Sequence, residues 1–185
     1  MDKETPKLKI VQADSSQSEN ILQVILEATQ WLRSQGIDQW QVPWDLPWIE
    51  WRISLGDFYC AFLEGEDSMA AVVRLLWADE EMWEPDDVKA GYVHSLAVRP
   101  KFAGQGIGRQ ILRWAEEMCR LNGRDVLRLD CIAHNSRLHE YYRRQGFSEC
   151  GEKVFGDYHG RLFQKPLSKS VIPAPCQEGR IHDAW

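Results

Sequence analysis

Hydrophobic residues repeat along the chain with two periods, and each period predicts a different kind of element. A spacing of three or four places Ile21, Ile25, Ala28 and Leu32 on one face of a helix that begins at an N-cap Ser18 and ends near residue 36. The same period predicts helices over 46–53, 106–122 and 136–145. Short apolar or alternating runs predict strands at 7–13, 59–64, 69–77, 91–98, 126–133, 147–155 and 158–166.

The elements follow the order β-α-α-β-β-β-α-β-α-β-β. We expect one domain over residues 1–167, because a chain of this size normally folds as a single domain with a full core. Residues 168–185 contain two prolines and little periodicity, and we interpret them as a C-terminal tail. The sequence contains no internal repeat or low-complexity segment.

A glycine-rich turn joins the strand at 91–98 to the helix at 106–122. Gly104, Gly106 and Gly108 let the backbone approach a bulky anion, and the free N–H groups of a helix N-terminus bind phosphate. Lys101 and Arg109 add positive charge beside the turn. No Gly-Lys-Ser/Thr follows, which excludes a P-loop, and the G-x-G-x-G spacing argues against a dinucleotide fingerprint. A turn that binds nothing is the remaining alternative.

Residues from Val98 to Leu112 resemble the acetyl-CoA-binding motif of the GNAT acetyltransferase superfamily. Its usual form has Arg or Gln, two further residues, Gly, one residue, and then Gly or Ala. Gly106 and Gly108 match this form, whereas Ala103 stands at the Arg/Gln position. The departure removes one side-chain ligand and leaves the backbone donors in place.

A second motif lies downstream and resembles the family pattern N-x-x-x-x-x-x-Y-x-x-x-G-F. Asn135, Tyr142, Gly146 and Phe147 fall in register with it. The two motifs occur in the family's order and spacing, and the resemblance covers roughly Leu8 to Leu167.

The resemblance implies a fold and an activity. The fold is α/β: a mixed, mostly antiparallel sheet of about seven strands, with helices on both faces and a splayed central parallel pair at 91–98 and 126–133. The activity is direct transfer of an acetyl group from acetyl-CoA to a primary amine in a ternary complex. A non-catalytic acyl-CoA-binding regulatory module and a protein or peptide N-acetyltransferase are the alternatives. The implied cofactor-binding residues are Leu96, Ala97, Val98, Lys101, Ala103, Gly104, Gln105, Gly106, Ile107, Gly108, Arg109, Asn135 and Arg137.

Tyr142 has a catalytic role by the same resemblance. It is expected to donate a hydrogen bond or proton to the coenzyme A sulfur, unless it only packs with Leu138 on the apolar face of its helix. Tyr141 points about 100° further around that helix, and we expect it in the core.

His94 is the candidate base, because a histidine titrates near neutral pH. The period of two places it on the strand face of Leu96 and Val98. Tyr92 shares that face, and with His94 it resembles a pair of histidines that removes the proton in some GNAT enzymes. A water chain to a carboxylate, or a purely structural histidine, is the alternative.

Charge is distributed unevenly along the chain. Residues 1–98 contain 7 Lys/Arg and 18 Asp/Glu, a net charge of −11, whereas residues 99–144 contain 10 and 5, a net charge of +5. The basic block coincides with the expected coenzyme A site, and the acidic block favours a small cationic amine as acceptor. Tryptophans near the expected acceptor pocket, Trp31, Trp40 and Trp44 above all, would supply aromatic walls for such a cation. An ordinary solvated surface and packing of a lid are the alternatives.

Other function classes receive little support. No apolar run is long enough for a membrane span, and residues 1–10 lack the apolar region of a signal peptide. The five scattered cysteines indicate free thiols and a cytoplasmic protein. Cys131, His134 and His139 lack a fourth ligand, so we expect no metal. The net charge of −6 argues against nucleic acid, and a homodimer is possible.

Overall fold

The computed structural model of the chain describes residues 6–40 and 44–167, so the predicted tail at 168–185 lies outside the described residues. Within this part of the chain, seven strands form one sheet in the order β1-β2-β3-β4-β5-β7-β6, and β4 and β5 are its only parallel neighbours. The predicted α/β fold class and its mostly antiparallel sheet are confirmed. The strands are β1 (Leu8–Gln12), β2 (Phe58–Leu63), β3 (Met69–Leu76), β4 (Ala90–Val98), β5 (Val126–Ile132), β6 (Ser148–Phe155) and β7 (Tyr158–Pro166).

Helices cover both faces of the sheet. They are α1 (Ser18–Ser34), α2 (Leu46–Ser54), α3 (Ile107–Leu121) and α4 (Ser136–Arg144). Ile25 of α1 and Ile49 of α2 are fully buried in the core on one face. Ile111 of α3 and Tyr142 of α4 lie in the core on the other face. The sheet therefore separates two sides, each with its own pair of helices.

The start of α1 differs from the prediction, because Ser18 is not its N-cap. Gln17 is the N-cap residue and makes no side-chain cap bond. The capping side chain is Asp14, which begins a 3₁₀ turn over Ser15–Gln17 and accepts a hydrogen bond from the Ser16 N–H at 2.8 Å. An aspartate is a strong helix cap, and the extra turn moves the point of capping four residues upstream of Ser18.

The parallel ladder between β4 and β5 is short. Its residue pairs run from Ala90 with Val126 to Val93 with Leu129, although both strands continue beyond that last pair. The two strands are thus splayed at their carboxyl ends, as the fold class predicts. We call the opening beyond Val93 and Leu129 the fork.

A β-bulge at Ser95 changes which side chains of β4 share a face. Arg74 of β3 pairs with His94, whereas Val72, two residues earlier, pairs with Ala97, three residues later. Ser95 carries the extra residue with a φ of 49°. An inserted residue reverses the alternation of side chains.

The expectation that His94 shares a face with Leu96 and Val98 is therefore wrong. Leu96 and Val98 pack against the α3–α4 core. Ala97 packs in the α1–α2 core, and His94 lies on that same side of the sheet.

Two expectations, on membrane spans and on the cysteines, concern residues that the structure describes. None of the helices in the described part of the chain is long and apolar enough to cross a membrane. Cys60, Cys119 and Cys131 are buried free thiols, and Cys150 is an exposed one. Cys176 lies outside the described residues.

Candidate active site

A cavity of about 870 Å³ opens on the α3–α4 side, where the glycine turn enters α3. Eight of the predicted cofactor-binding residues line it: Val98, Ala103, Gly104, Gln105, Gly106, Ile107, Gly108 and Arg109. The same turn that the sequence marks as a phosphate site thus forms the wall of a cavity large enough for an extended ligand.

The local backbone explains why glycine is needed in this turn. Gly104 and Gly106 have φ values of 76° and 77°, in the left-handed region that other residues rarely adopt. The first helical bond of α3 runs from the Gln110 N–H to the Gly106 carbonyl. The N–H groups of Ile107, Gly108 and Arg109 therefore have no helical acceptor and are free to bind an anion. The Ile107 side chain itself is buried in the core.

The other predicted cofactor-binding residues lie outside the cavity lining. Leu96 and Ala97 belong to the part of β4 beyond the fork. The Lys101 ammonium lies 4.6 Å from the centre of the Phe102 ring, at the edge of a shallower pocket formed with α1. Asn135 is a helix cap, since its side chain accepts a hydrogen bond from the Leu138 N–H at 3.1 Å. Arg137 is exposed on α4.

The two adjacent tyrosines of α4 have different surroundings. Tyr141 packs against the α3–α4 core, as expected, but it also lines the cavity, and its hydroxyl lies 3.0 Å from the place where a Cβ on Gly108 would be. A side chain at position 108 would therefore displace the tyrosine. Tyr142 is 7% exposed and packs between Phe147 and Phe163.

Tyr142 is close to the fork. Burial raises the pKa of its hydroxyl well above the usual value, and the nearby Cys131 and Asp130 of β5 raise it further. Both neighbours lie just beyond the last pair of the parallel ladder. Tyr142 thus holds its proton firmly at neutral pH, beside the opening in the sheet.

His94 lies on the opposite side of the fork, between two carboxylates. Its Nε2 is 2.8 Å from Asp79 Oδ2, and its Nδ1 is 3.6 Å from Asp130 Oδ1. The Tyr158 hydroxyl donates a hydrogen bond to Asp130 Oδ2 at 2.6 Å. Burial raises the pKa of Asp130, and this effect outweighs the neighbouring His94 and Tyr158. Burial acts on Asp79 too, but the hydrogen bond and charge of His94 outweigh it and hold the pKa of Asp79 below its usual value.

Tyr92 does not join His94 in this cluster. It is buried, and its hydroxyl accepts a hydrogen bond from Arg128 at 3.4 Å. Arg128 also binds Asp86 at 2.6 Å and lies 4.4 Å from the centre of the Trp83 ring. These contacts fasten the connection over residues 77–89 to the sheet.

The acidic residues of that connection are partly neutralised. Asp79 binds His94, Asp86 binds Arg128, and Glu84 pairs with Lys153 of β6. Glu80, Glu81 and Asp87 remain exposed. The connection therefore presents less unpaired negative charge at the surface than its composition suggests.

The tryptophans predicted at the acceptor site fall into two groups. Trp40, Trp44 and Trp48 form a series of edge-to-face contacts, with ring centres 6.0 and 4.9 Å apart, over the α1–α2 core. Trp48 continues the series to Phe58, and the Arg74 guanidinium lies 5.1 Å from the Trp48 ring centre. Trp31 is 44% exposed on α1 and borders the shallow pocket with Lys101.

The residues weighed as metal ligands are separated. Cys131 is buried in the core, His139 Nε2 lies 3.0 Å from the Ile132 carbonyl, and His134 is exposed. Among the residues that the structure describes, no group of three or more His, Cys, Asp or Glu side chains is arranged to hold a metal ion.

The geometry agrees with comparisons to known proteins. Residues 25–147 match the Acetyltransferase (GNAT) family. The chain is 35% identical over 159 residues to an uncharacterized N-acetyltransferase of Bacillus subtilis (strain 168), YesJ, and the match covers 82% of this chain and 86% of that protein. A crystal structure of a GNAT family acetyltransferase from Listeria monocytogenes 4b F2365 aligns with a TM-score of 0.73 at 28% identity, covering 86% of this chain and 95% of that one.

A third comparison concerns the fold alone. YncA of Salmonella typhimurium, solved with its cofactor acetyl-CoA, aligns with a TM-score of 0.59 at 20% identity, over 91% of this chain and 99% of that one. Together with the family match, these similarities establish that the chain belongs to the GNAT acetyltransferase family. It is an acyl-CoA-dependent N-acetyltransferase, as its two motifs predict.

Three residues that lie around the candidate base were not predicted from the sequence to be there: Asp79, Asp130 and Tyr158. A signal for Asp130 was available, because the period of two puts it beside Arg128 on one face of an otherwise apolar strand. Asp79 has no such signal in the sequence, because nothing in its neighbourhood distinguishes it from the other acidic residues of the connection over residues 77–89.

The buried charge of Asp130 predicts a pH-dependent gain in stability for Asp130→Asn. The folded-state pKa lies above the unfolded value of 3.8, so the folded chain binds the proton more tightly, and stability falls as pH rises through the folded pKa. Asn has no carboxyl group to ionise, so the variant does not lose stability in this way. Urea unfolding should show no difference between the two proteins at pH 3.5 and a gain on the order of 1 kcal/mol at pH 8.

Asp67→Asn is the matched control, because Asp67 is exposed in the turn between β2 and β3. It should change the free energy of unfolding little at either pH. An Asp130→Asn protein that is less stable than the parent at pH 8 would contradict the assignment of a costly buried carboxylate.

Proposed function

We propose that this N-acetyltransferase transfers the acetyl group of acetyl-CoA directly to the primary amine of a small cationic molecule, within a ternary complex. One observation carries the proposal. The part of β4 beyond the fork lines a cavity suited to phosphate with Val98 on one face of the sheet, and it carries His94 of the Asp79–His94–Asp130 cluster on the other face. Two substrates bound on opposite sides would meet at this opening, and holding them together lowers the barrier by several kcal/mol.

The glycine turn is the proposed seat of the coenzyme. The free N–H groups of Ile107, Gly108 and Arg109 and the Arg109 side chain would bind its pyrophosphate, and Ala103 leaves that backbone cradle intact. When bound, acetyl-CoA supplies the activated thioester. The part of β4 that includes Leu96 and Val98 has no ladder partner in β5, so its backbone is available to the pantetheine arm and the acetyl carbonyl.

His94 and Tyr142 divide the proton transfers between the two sides of the fork. His94 accepts a proton from the acceptor's ammonium group, and the ionised Asp79 stabilises the imidazolium that results. Tyr142, which keeps its proton at neutral pH, donates a hydrogen bond or proton to the departing sulfur. Tyr92 supports the clamp around Arg128 rather than the proton path.

The cationic character of the acceptor is supported by charge near His94. Asp79 and Asp130 lie beside the ring, and Glu80, Glu81 and Asp87 are exposed on the connection over residues 77–89 that carries Asp79. The tryptophan series of Trp40, Trp44 and Trp48 borders this side of the sheet and suits a cation. We place Trp31 outside the acceptor site, because it borders the shallow pocket instead.

The seat of the coenzyme predicts the effect of Gly106→Asp. The variant adds a side chain and a negative charge where phosphate should lie, so calorimetry should show that coenzyme A affinity falls by about 100-fold or more. Gly106→Asn is the matched control, since it has the same shape and the same backbone strain without the charge. If both variants bind coenzyme A as tightly as the parent, the pyrophosphate does not lie at this turn.

The role of Tyr142 predicts a defect in chemistry rather than in binding. Tyr142→Phe keeps the ring between Phe147 and Phe163 and removes the hydroxyl. The single-turnover rate of acetyl transfer should fall by about 10²- to 10⁴-fold, with coenzyme A affinity within twofold of the parent. Tyr59→Phe, in β2 against Trp114, should keep the parental rate. A parental rate in Tyr142→Phe would remove the hydroxyl from the mechanism.

The acceptor class is tested by a panel read by thiol release and mass shift. Spermidine and tyramine should give higher kcat/KM than glycine or a peptide with a free N-terminus, and the preference should shrink with added salt. A preference that salt does not change would refute the electrostatic account. Transfer to the peptide alone would identify a protein N-acetyltransferase, and coenzyme binding without any transfer would indicate a regulatory module.

A further inference from the structure

The first residues beyond the fork on its two strands are His94 and Asp130. The ladder between β4 and β5 ends at Val93 and Leu129, and the strands are parallel and in register. The next residue on each strand therefore projects to the same face. This face lies opposite the proposed coenzyme cavity. In the proposed ternary complex, it is the face from which the acceptor approaches.

When the imidazole of His94 is neutral and Asp130 is ionised, the facing atoms of these two side chains are both hydrogen-bond acceptors. Asp79 is ionised, so the proton of neutral His94 lies on Nε2, where it is donated to Asp79 at 2.8 Å. The Nδ1 lone pair then faces Asp130 Oδ1 across 3.6 Å. This distance is too long for a direct hydrogen bond. Tyr158 already occupies the other carboxylate oxygen, Oδ2.

Two acceptors that face one gap need a donor between them. A donor nitrogen can lie about 2.9 Å from both His94 Nδ1 and Asp130 Oδ1, so it could form a hydrogen bond with each of them. We infer that this gap between His94 Nδ1 and Asp130 Oδ1 is the seat of the acceptor's ammonium group, with Asp130 as its anchor. The inference rests on the proposed function and adds to it a residue that selects for a protonated primary amine.

The reaction sequence follows from this seat. The ammonium group donates one N–H to Asp130 and gives a second proton to His94 Nδ1, which leaves a neutral amine at the fork. Its lone pair forms the new N–C bond as the C–S bond breaks. The nitrogen then loses one more proton, which balances the proton taken up by the sulfur, and His94 returns its proton to solvent.

The charges around the gap are consistent with a bound cation. Asp79 faces it from the connection at 77–89 and Tyr158 from β7. Arg74 lies directly across from His94 on β3, and its guanidinium charge is offset by Asp57, which binds it at 3.1 Å. The side chains of His94 and Asp130 are 20% and 10% exposed, so a cation there would be partly desolvated and its pairing with Asp130 correspondingly strong.

Kinetics of Asp130→Asn test the anchor. The variant keeps the shape and an acceptor for the Tyr158 hydroxyl but removes the charge. With the best amine of the panel, KM for the amine should rise about 10- to 100-fold, while KM for acetyl-CoA stays within twofold. Asp67→Asn, exposed in the turn between β2 and β3, should leave both constants unchanged. An amine KM in Asp130→Asn equal to that of the parent would overturn the proposal while leaving the transferase activity in place.

A second measurement does not depend on transfer. In ¹⁵N NMR at pH 7.5, His94 Nδ1 should be unprotonated in the parent. Methylammonium chloride should shift both His94 Nδ1 and the Asp130 carboxyl carbon in a saturable way. Tetramethylammonium, which has no N–H donor, should not, and Asp130→Asn should abolish the methylammonium effect at Nδ1. A protonated Nδ1, or equal responses to the two cations, would overturn the ammonium seat even if the enzyme proves inactive on every amine.

Discussion

The backbone ladder between β4 and β5 ends at Val93 and Leu129, and the site on each face of the sheet depends on that ending. A continuous ladder would close the sheet and bury the backbone groups of both strands in hydrogen bonds. The bulge at Ser95 lets β4 remain paired with β3 on its other edge after the separation. The sheet therefore opens at one point without losing its continuity, and the part of β4 beyond that point carries His94 on one face and lines the cavity beside α3 with Val98 on the other.

The buried polar groups at the fork lower the stability of the fold. Asp130 is buried, with a pKa that burial raises, and the Asp79–His94 pair is only partly open to water. Such groups stabilise a fold poorly, because desolvation offsets much of their mutual attraction. Their presence inside the sheet is explained better by chemistry than by stability, which is a common property of active sites.

Features with local causes were the ones that the sequence predicted well. The helix predicted at 106–122 spans Ile107–Leu121, because its apolar period and the glycines before it act over a few residues. The bulge has no local signature: nothing in the run from His94 to Val98 marks an extra residue, so the period of two placed His94 on the wrong face. The roles of Tyr141 and Asp79 likewise depend on which distant elements pack against them, and a periodic pattern contains no such information.

The connection at 77–89 binds three different strands, through His94 of β4, Arg128 of β5 and Lys153 of β6. None of these contacts involves the glycine turn or the cavity beside α3. Changes in the length or sequence of the connection would therefore reshape the proposed acceptor site and leave the proposed coenzyme site intact. Over evolutionary time, a chain built this way can exchange the molecule it modifies while it keeps a single donor, so descendants with the same coenzyme cradle need not share an acceptor.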